Sequence, residues 1–313
     1  MRISHPLYFE TPLEGVNKTP ITYWGGKQRL VPLILSLIPT HKLYCEPFVG
    51  GGAVLFAKEP SEIEVINDLN GDVVNFYRVC HHNFTKLQNL IKSTPHSRQV
   101  YRETLEILKK TDQNDPVKRA WALWTQANMS FAAKLFHGYA YERKSSKVLK
   151  TFLNKKIAFT PAVRDRLEMV DMENNDAFQV IKSRDTDESF FYCDPPYFNS
   201  TMGHYDGYTK KDFEELLSTL SNVKGSFLLS SYPSDILDKY TRNQQWSVLT
   251  KKTGVLASKQ RDKMKIEVLT ANYDLEALPR SNQNLSGINT YYLHLIAQGL
   301  MLRLNLKGNK VEF

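Results

Sequence analysis

Cysteine is scarce in this sequence, and the few cysteines are not spaced as disulfide partners or metal ligands. There are three, Cys45, Cys80 and Cys193, and no two of them form a CxxC pair. An odd number without paired spacing predicts neither a disulfide framework nor a zinc site. We therefore expect three buried thiols and a protein that binds no metal.

Long apolar segments are lacking as well. No apolar run reaches the roughly 18–20 residues that a membrane span needs, and the opening residues MRISHPLYFE lack the apolar core of a signal peptide. With 42% hydrophobic and 24% charged residues, the composition is that of an ordinary globular protein. These features predict a soluble cytoplasmic protein with no membrane partner.

Positive charge is in excess, and one segment carries all of it. The net charge is +8, but residues 75–165 hold 17 Lys and Arg against 6 Asp and Glu, a net charge of +11. The remainder has 24 basic and 27 acidic residues, a net charge of −3. Such a segment attracts a polyanion such as nucleic acid. A solvated helical surface rich in Lys and Arg is the alternative interpretation.

The order of predicted elements is typical of an α/β protein with a parallel sheet. A strand at 42–45, a glycine turn, a helix start at 53–58 and a strand at 64–66 form a βαβ pattern that ends in an acidic residue. Further strands are predicted at 189–193, 225–231 and 266–271, further helices at 29–38 and 211–220, and a helix or a turn at 177–181.

Helical patterning dominates the basic segment. Asp115-Pro116 has the residues of an N-cap and a first helical position, and predicts a helix that continues to Phe136. Residues 138–156, rich in Tyr, Ser, Lys and Arg, predict an exposed loop. The expected organisation is an N-terminal arm (1–20), a main domain (21–74 and 166–275), an insert (75–165) and a C-terminal tail (276–313).

The first candidate site follows the first strand, in Glu46-Pro47-Phe48-Val49-Gly50-Gly51-Gly52. Glycines allow positive φ and close approach of the backbone to a ligand. Asp68 lies 18 residues beyond Gly50, where an acid ending the second strand can bind ribose hydroxyls. Leu55 replaces the third glycine of a dinucleotide fingerprint, which favours a nucleoside such as S-adenosylmethionine over NAD. A structural strand–helix turn is the alternative.

The second candidate site is Asp194-Pro195-Pro196-Tyr197, directly after the apolar strand 190–193. An exocyclic amine of a nucleobase is a poor nucleophile, because its lone pair is delocalised into the ring. Acceptors aimed at the amine protons, here the Asp194 carboxylate and the Pro195 carbonyl, favour attack on a methyl group. Pro196 fixes that carbonyl, and Tyr197 offers a ring on which an extruded base can stack.

At this point the sequence resembles the Dam-like (class alpha) DNA adenine N6-methyltransferases over roughly residues 20–275. Four elements occur in the family's order. They are Tyr23-Trp24-Gly25-Gly26-Lys27, the glycine motif, the basic segment and Asp194–Tyr197. The resemblance implies a Rossmann-like, S-adenosylmethionine-dependent methyltransferase fold with a mostly parallel seven-stranded sheet and an inserted, mainly helical target-recognition domain.

The resemblance also implies roles for individual residues. The expected cofactor-binding residues are Tyr23, Trp24, Lys27, Glu46, Phe48, Gly50, Gly52, Asp68, Asp176 and Phe178, and the expected catalytic residues are Asp194, Pro195, Pro196 and Tyr197. For Asp176 with Phe178, an ordinary polar turn is the alternative. The expected DNA contacts are Lys134, His137, Tyr139, Arg143, Lys144 and Lys147, each on phosphate or on base edges.

Function is therefore predicted as transfer of a methyl group from S-adenosylmethionine, without a metal, to N6 of a flipped adenine in double-stranded DNA. The expected product of the cofactor is S-adenosylhomocysteine, and a cognate restriction endonuclease is a candidate partner in a prokaryotic or phage system. No Pro-Cys occurs, which argues against C5-cytosine chemistry. N4-cytosine methylation and a DNA-binding protein with an inactive site are the alternatives; RNA or protein methylation and NAD oxidoreduction rank lower.

Overall fold

The computed structural model describes residues 19–23, 25–110, 115–131, 135–199, 208–254 and 264–277. Residues 1–273 form one compact unit, and only 274–277 are described of the second, 274–313. The predicted arm and tail therefore lie almost entirely outside the described residues, and Trp24 and Lys134 lie outside them too.

The described strands are β1 (Leu43–Glu46), β2 (Ile63–Asn67), β3 (Val170–Glu173), β4 (Ser189–Cys193), β5 (Ser226–Ser231), β6 (Ser247–Gly254) and β7 (Met264–Ala271). The helices are α1 (Val31–Ser36), α2 (Gly71–His82), α3 (Phe84–Ser93), α4 (Arg98–Lys109), α5 (Pro116–Met129), α6 (Lys147–Ala158), α7 (Pro161–Arg166), α8 (Ala177–Ser183), α9 (Lys210–Leu220) and α10 (Asp235–Gln244).

Within the described residues, the strands form a seven-stranded sheet in the order β3-β2-β1-β4-β5-β7-β6. The first five strands of that order are parallel, and β7 runs antiparallel to both β5 and β6. Every residue of β1 and of β4 is buried, as expected for parallel strands covered on both faces. The predicted mostly parallel α/β fold is confirmed.

Register brings the two predicted sites to the same edge. Cys45 of β1 pairs with Phe191 of β4 in parallel, so Glu46 and Asp194 both lie at the carboxyl ends of adjacent strands. The order of the strands reverses between β1 and β4, because the chain runs outward from β1 to β3 and then resumes on its other side at β4. Ligands of open α/β sheets bind at such a point.

The buried cysteines confirm the expectation of structural thiols. Cys45, Cys80 and Cys193 are all free and buried, and burial raises the pKa of the Cys45 and Cys80 thiols well above the usual value. Among the described residues, no group of three His, Cys, Asp or Glu side chains is arranged to hold a metal ion. None of the helices in the described ranges combines the length and apolar character needed to cross a membrane.

Six helices, α2 to α7, separate β2 from β3. The predicted cap of α5 is confirmed, because the Asp115 carboxylate accepts hydrogen bonds from Val117 N (3.0 Å) and Lys118 N (3.1 Å). The helix ends at Met129 rather than at Phe136.

The loop predicted at 138–156 was wrong in its second half, where α6 forms. Phe152 is fully buried on this helix, with its ring 5.5 Å from that of Trp124. Burial of this aromatic side chain stabilises a helix in a segment whose composition is polar.

The helix predicted at 53–58 is also absent; the chain makes turns there. The amide of Leu55 donates to the side chain of Glu46 (2.7 Å) rather than into a helical ladder, and Pro60 follows shortly after. The glycine motif is therefore held by a buried carboxylate and not by a helix beginning at Ala53.

A buried ion cluster joins α7 to β2. Glu64 accepts from Arg166 Nη2 (2.8 Å) and from Lys58 Nζ (2.6 Å), and all three side chains are almost completely buried. Arg166 also donates to the backbone oxygen of Leu55 (3.1 Å). The cluster links strand β2, the turns that follow the glycine motif (Leu55 and Lys58) and helix α7.

Arg166→Ala should lower the free energy of unfolding by about 3 kcal/mol, because it leaves part of the Glu64 charge buried without its partner. The matched control is Arg164→Ala on the same helix, whose pair with Asp165 is exposed and should contribute at most about 1 kcal/mol. Urea denaturation of both variants measures the difference. Equal losses in the two would contradict a structural role for this cluster.

Candidate active site

The glycine turn lies at the end of β1 and has the backbone shape that only glycine adopts readily. Gly50 and Gly52 have φ of +45° and +64°. A Cβ on Gly50 would come within 3.0 Å of the Tyr23 ring. Tyr77 donates its hydroxyl hydrogen to Gly50 O (2.8 Å). The turn is thus packed between two tyrosines.

Asp68, at the end of β2, faces this turn directly. Its carboxylate accepts from Gly50 N (2.9 Å) and from Asn70 N (2.9 Å), one bond on each oxygen. Each oxygen therefore keeps a lone pair for a ligand hydroxyl. Burial raises the pKa of Asp68, and the two backbone amides act in the opposite direction. Leu69, the next residue, is 80% exposed although it is apolar.

Asn67 ties together the loops that follow β1, β2 and β3. Its side chain is fully buried; it donates to Pro47 O (2.9 Å) and Asn175 O (3.0 Å), and it accepts from Asn175 N (2.9 Å). Asn67 was not among the predicted site residues. The only signal was an amide side chain at the end of an apolar strand, beside the acidic residue that attracted attention.

The segment after β3 lies next to Asp68. Asn174 donates to the backbone oxygens of Asp68 (2.8 Å) and Leu69 (3.2 Å). Asp176 caps α8 by accepting from Phe178 N and Gln179 N, both at 3.0 Å, through one oxygen. Asp176 therefore caps a helix, as the alternative of an ordinary polar turn would have it. Its second carboxylate oxygen takes part in neither of these two hydrogen bonds.

Three further predicted cofactor-binding residues, Glu46, Phe48 and Phe178, are buried or partly buried. Glu46 is buried and accepts from Leu55 N and from the Tyr44 hydroxyl; burial raises its pKa to about 7. Phe48 and Phe178 are partly buried and pack against the hydrophobic core. For these three residues, the contacts in the structure are with the core and with the turn after the glycine motif.

Asp194 forms an ion pair with Lys27. Lys27 Nζ lies 2.7 Å from Oδ1 and 3.0 Å from Oδ2, and it also donates to Gly25 O (3.0 Å). The Asp194 side chain is 19% exposed and that of Lys27 only 6%. Burial raises the pKa of Asp194, whereas the Lys27 ammonium lowers it. Lys27, expected beside the cofactor, thus contacts the expected catalytic carboxylate.

Tyr197 is fixed at both ends. Its hydroxyl lies 2.9 Å from Glu267 Oε2, 2.9 Å from Ser230 Oγ and 3.3 Å from Asp194 Oδ1. Its ring lies 4.8 Å from Lys27 Nζ and packs edge-on against Tyr232, with 4.3 Å between centroids. Glu267 and Ser230, on β7 and β5, were not among the predicted catalytic residues.

Tyr23 and Lys27 connect the two halves of the site. The Tyr23 ring packs against Gly50, and Lys27 pairs with Asp194. The glycine turn and the acid–diproline corner are therefore bridged by one short segment at one sheet edge. The geometry brings the predicted cofactor-binding carboxylate, Asp68, and the predicted catalytic carboxylate, Asp194, to the same sheet edge.

A family model of the D12 class N6 adenine-specific DNA methyltransferases matches residues 23–264, well over half of the chain. The chain belongs to this family. Membership confirms the predicted resemblance and the predicted enzyme class. It also decides between adenine and cytosine in favour of adenine as the base that this DNA methyltransferase acts on.

Individual relatives agree with the family. This methyltransferase is 26% identical over 281 residues to a type II methyltransferase of Lactococcus lactis subsp. cremoris, covering 82% of this chain and 96% of the relative. It is 26% identical to a DNA adenine methylase of Vibrio cholerae, covering 60% and 69%. A DNA N-6-adenine-methyltransferase of Escherichia phage P1 is 36% identical over 67 residues, covering 21% and 9%.

The expected DNA contacts of this D12 methyltransferase lie apart from the strand-end residues, between α5 and α6. His137, Tyr139 and Arg143 line one cavity. Lys144 and Lys147 are exposed, and Lys147 begins α6. Three of the predicted DNA contacts thus line the same cavity. Lys144 and Lys147, which follow closely in the sequence, are not among the residues that line it.

Replacement of Asn67 by Ala should lower the free energy of unfolding by about 1–3 kcal/mol, because backbone groups of Pro47 and Asn175 lose their buried partner. We also expect a slower methyl-transfer rate, since three loops of the site lose their tie. Asn222→Ala, at an exposed asparagine, should change stability by less than about 0.5 kcal/mol. Similar behaviour of the two variants in urea denaturation would contradict this role.

Proposed function

We propose that this methyltransferase binds S-adenosylmethionine at the β1–β2–β3 loops and transfers its methyl group directly to N6 of an adenine flipped out of duplex DNA. The observation that carries the proposal is the bridge from Gly50 through Tyr23 and Lys27 to Asp194. It supports one shared reaction site for a cofactor and a base.

The residues at the strand ends fit the cofactor. The positive φ of Gly50 and Gly52 keeps the turn free of side chains, and the free lone pairs of Asp68 suit ribose hydroxyls. Exposed Leu69 offers an apolar surface to an adenine ring. When bound, the cofactor supplies an electrophilic methyl group on a sulfonium. Tyr23, Gly50, Gly52, Asp68 and Asp176 are the residues that we assign to holding it.

Asp194 and the Pro195 carbonyl are assigned to the target amine. An acceptor on each amine proton draws electron density toward the nitrogen and stabilises positive charge as the new bond forms. The ammonium of Lys27 now donates to both Asp194 oxygens, so it must share or yield that carboxylate when the amine binds. Methyl transfer would be direct, and the proton that the methylated amine must lose would pass to the Asp194 carboxylate and from there to solvent.

The helical segment is assigned to DNA. We propose residues 75–165 as the target-recognition insert and residues 21–74 with 166–275 as the catalytic part. The net charge of +11 on residues 75–165 supports contact with DNA phosphates. Because relatives carry the name type II methyltransferase, a cognate restriction endonuclease is proposed as a partner of the same system.

Expression in a methylation-deficient host, followed by long-read mapping of modified bases, tests the proposed function. N6-methyladenine should appear in one sequence context with the native chain and disappear with Asp194→Ala. The variant should still bind S-adenosylmethionine in calorimetry, since Asp194 holds the base and not the cofactor. Asp187→Ala, an exposed acid just before β4, is the control. Near-normal methylation by Asp194→Ala would refute the assignment.

Lys27→Met should move the acid limb of the kcat/KM profile to higher pH. Asp194 stabilises the developing positive charge of the amine only when it is ionised, so activity falls as the pH drops through its pKa. Burial raises that pKa and Lys27 lowers it; without the ammonium, protonation therefore begins at a higher pH. Lys42→Met, at an exposed lysine, should leave the limb in place. An unmoved limb in Lys27→Met would show that this ion pair does not control Asp194.

A further inference from the structure

An aromatic cup lies between the end of α5 and the start of α6. It is lined by Phe131, His137, Gly138, Tyr139, Tyr141 and Arg143. Its volume of about 480 Å³ lies within the roughly 300–1,000 Å³ typical of small-ligand pockets. Its lining residues are different from those of the strand-end site.

The backbone of the cup is built as a short antiparallel pairing. Ser130 and Tyr139 form a bridge, Phe131 N donates to Gly138 O (2.8 Å), and Ala140 N donates to Met129 O (2.7 Å). Gly138 has φ of +112° and donates its amide to the Tyr101 hydroxyl (3.0 Å). The rim of the cup is therefore fastened to α4 and α5.

Two tyrosines and an arginine give the cup its chemical character. The Tyr139 hydroxyl is hydrogen-bonded to His96 Nδ1 (2.8 Å), which fixes its ring. The rings of Tyr139 and Tyr141 are nearly parallel, at 14°, and the Arg98 guanidinium lies 4.9 and 5.0 Å from their centroids. A planar cation and flat rings are the groups on which a nucleobase stacks.

The cup leaves apolar surface in contact with solvent. Phe131 is 61% exposed and Tyr141 is 53% exposed. Arg143 and Lys144 are exposed beside them. The acidic neighbour, Glu142, is turned toward α6, where its carboxylate accepts from Ser145 Oγ and from Val148 N (3.2 Å). The open rings are thus flanked by cations.

We propose that the aromatic cup is a second nucleobase-binding subsite, which receives a DNA base displaced from the duplex, other than the methylated adenine. Tyr141 stacks on that base, while Arg143 contacts its phosphates. The inference rests on the proposed function, because it takes DNA as the ligand of the insert. Phosphate contacts alone explain the arginines but not the exposed aromatic faces, since a phosphate gains nothing from a ring.

Two bulged duplexes of the same length and charge test the proposal by fluorescence anisotropy. One carries two thymidines in a central bulge, and the other carries two abasic residues there. The native protein should bind the thymidine bulge more tightly. Tyr141→Ala should weaken binding to that duplex by about 5- to 150-fold, the equivalent of one base–aromatic stack, and leave the abasic duplex unchanged.

The salt dependence separates stacking from charge. Tyr141→Ala removes no cation, so the slope of log affinity against log salt should stay the same, whereas Arg143→Gln should flatten it. Tyr141→Trp should retain the preference for the thymidine bulge. Leu149→Ala, at an exposed apolar residue of α6 outside the cup, should behave like the native protein.

The outcomes for the cup and for the proposed function are distinguishable. If Tyr141→Ala weakens both duplexes equally, or neither, the cup does not bind a base, even where the native protein methylates DNA. If Tyr141→Ala loses only the preference for the thymidine bulge, the result supports base binding by the aromatic cup. If the native protein then fails to methylate DNA, that failure counts against the proposed function alone.

Discussion

Parallel hydrogen bonding between β1 and β4 is the constraint on which the candidate site depends. With Cys45 opposite Phe191, both strands deliver their next residues to the same edge of the sheet, although about 150 residues separate them in the chain. A slip in register would move Asp194 relative to the glycine turn. Both strands are buried along their whole length, so a slip would require the close-packed side chains on both faces to repack.

That edge concentrates carboxylates in a desolvated environment, and the surrounding residues compensate for it. Burial raises the pKa of Glu46, Asp68 and Asp194. The Tyr44 hydroxyl and the Leu55 amide offset this effect at Glu46, two backbone amides offset it at Asp68, and Lys27 offsets it at Asp194. The carboxylate assigned to chemistry is thus the one that is paired directly with a lysine.

Motifs made of neighbouring residues could be predicted from the sequence, whereas contacts between residues far apart in the chain could not. The glycine motif and Asp194–Tyr197 each carry their chemistry within a few residues, so pattern and resemblance sufficed to find them. The contact of Lys27 with Asp194 spans 167 positions, and the role of Asn67 depends on two loops that no local pattern connects. Composition predicted a loop over α6, and only the burial of Phe152 against Trp124 explains the helix.

A crystal structure of the protein with S-adenosylhomocysteine and duplex DNA carrying its mapped site tests the central claim most directly. The account predicts the target adenine outside the helix, with N6 about 2.6–3.2 Å from an Asp194 oxygen, and the ribose hydroxyls of the cofactor on Asp68. An adenine amine bound away from Asp194, or a ribose bound away from the loops after β1 and β2, would contradict it.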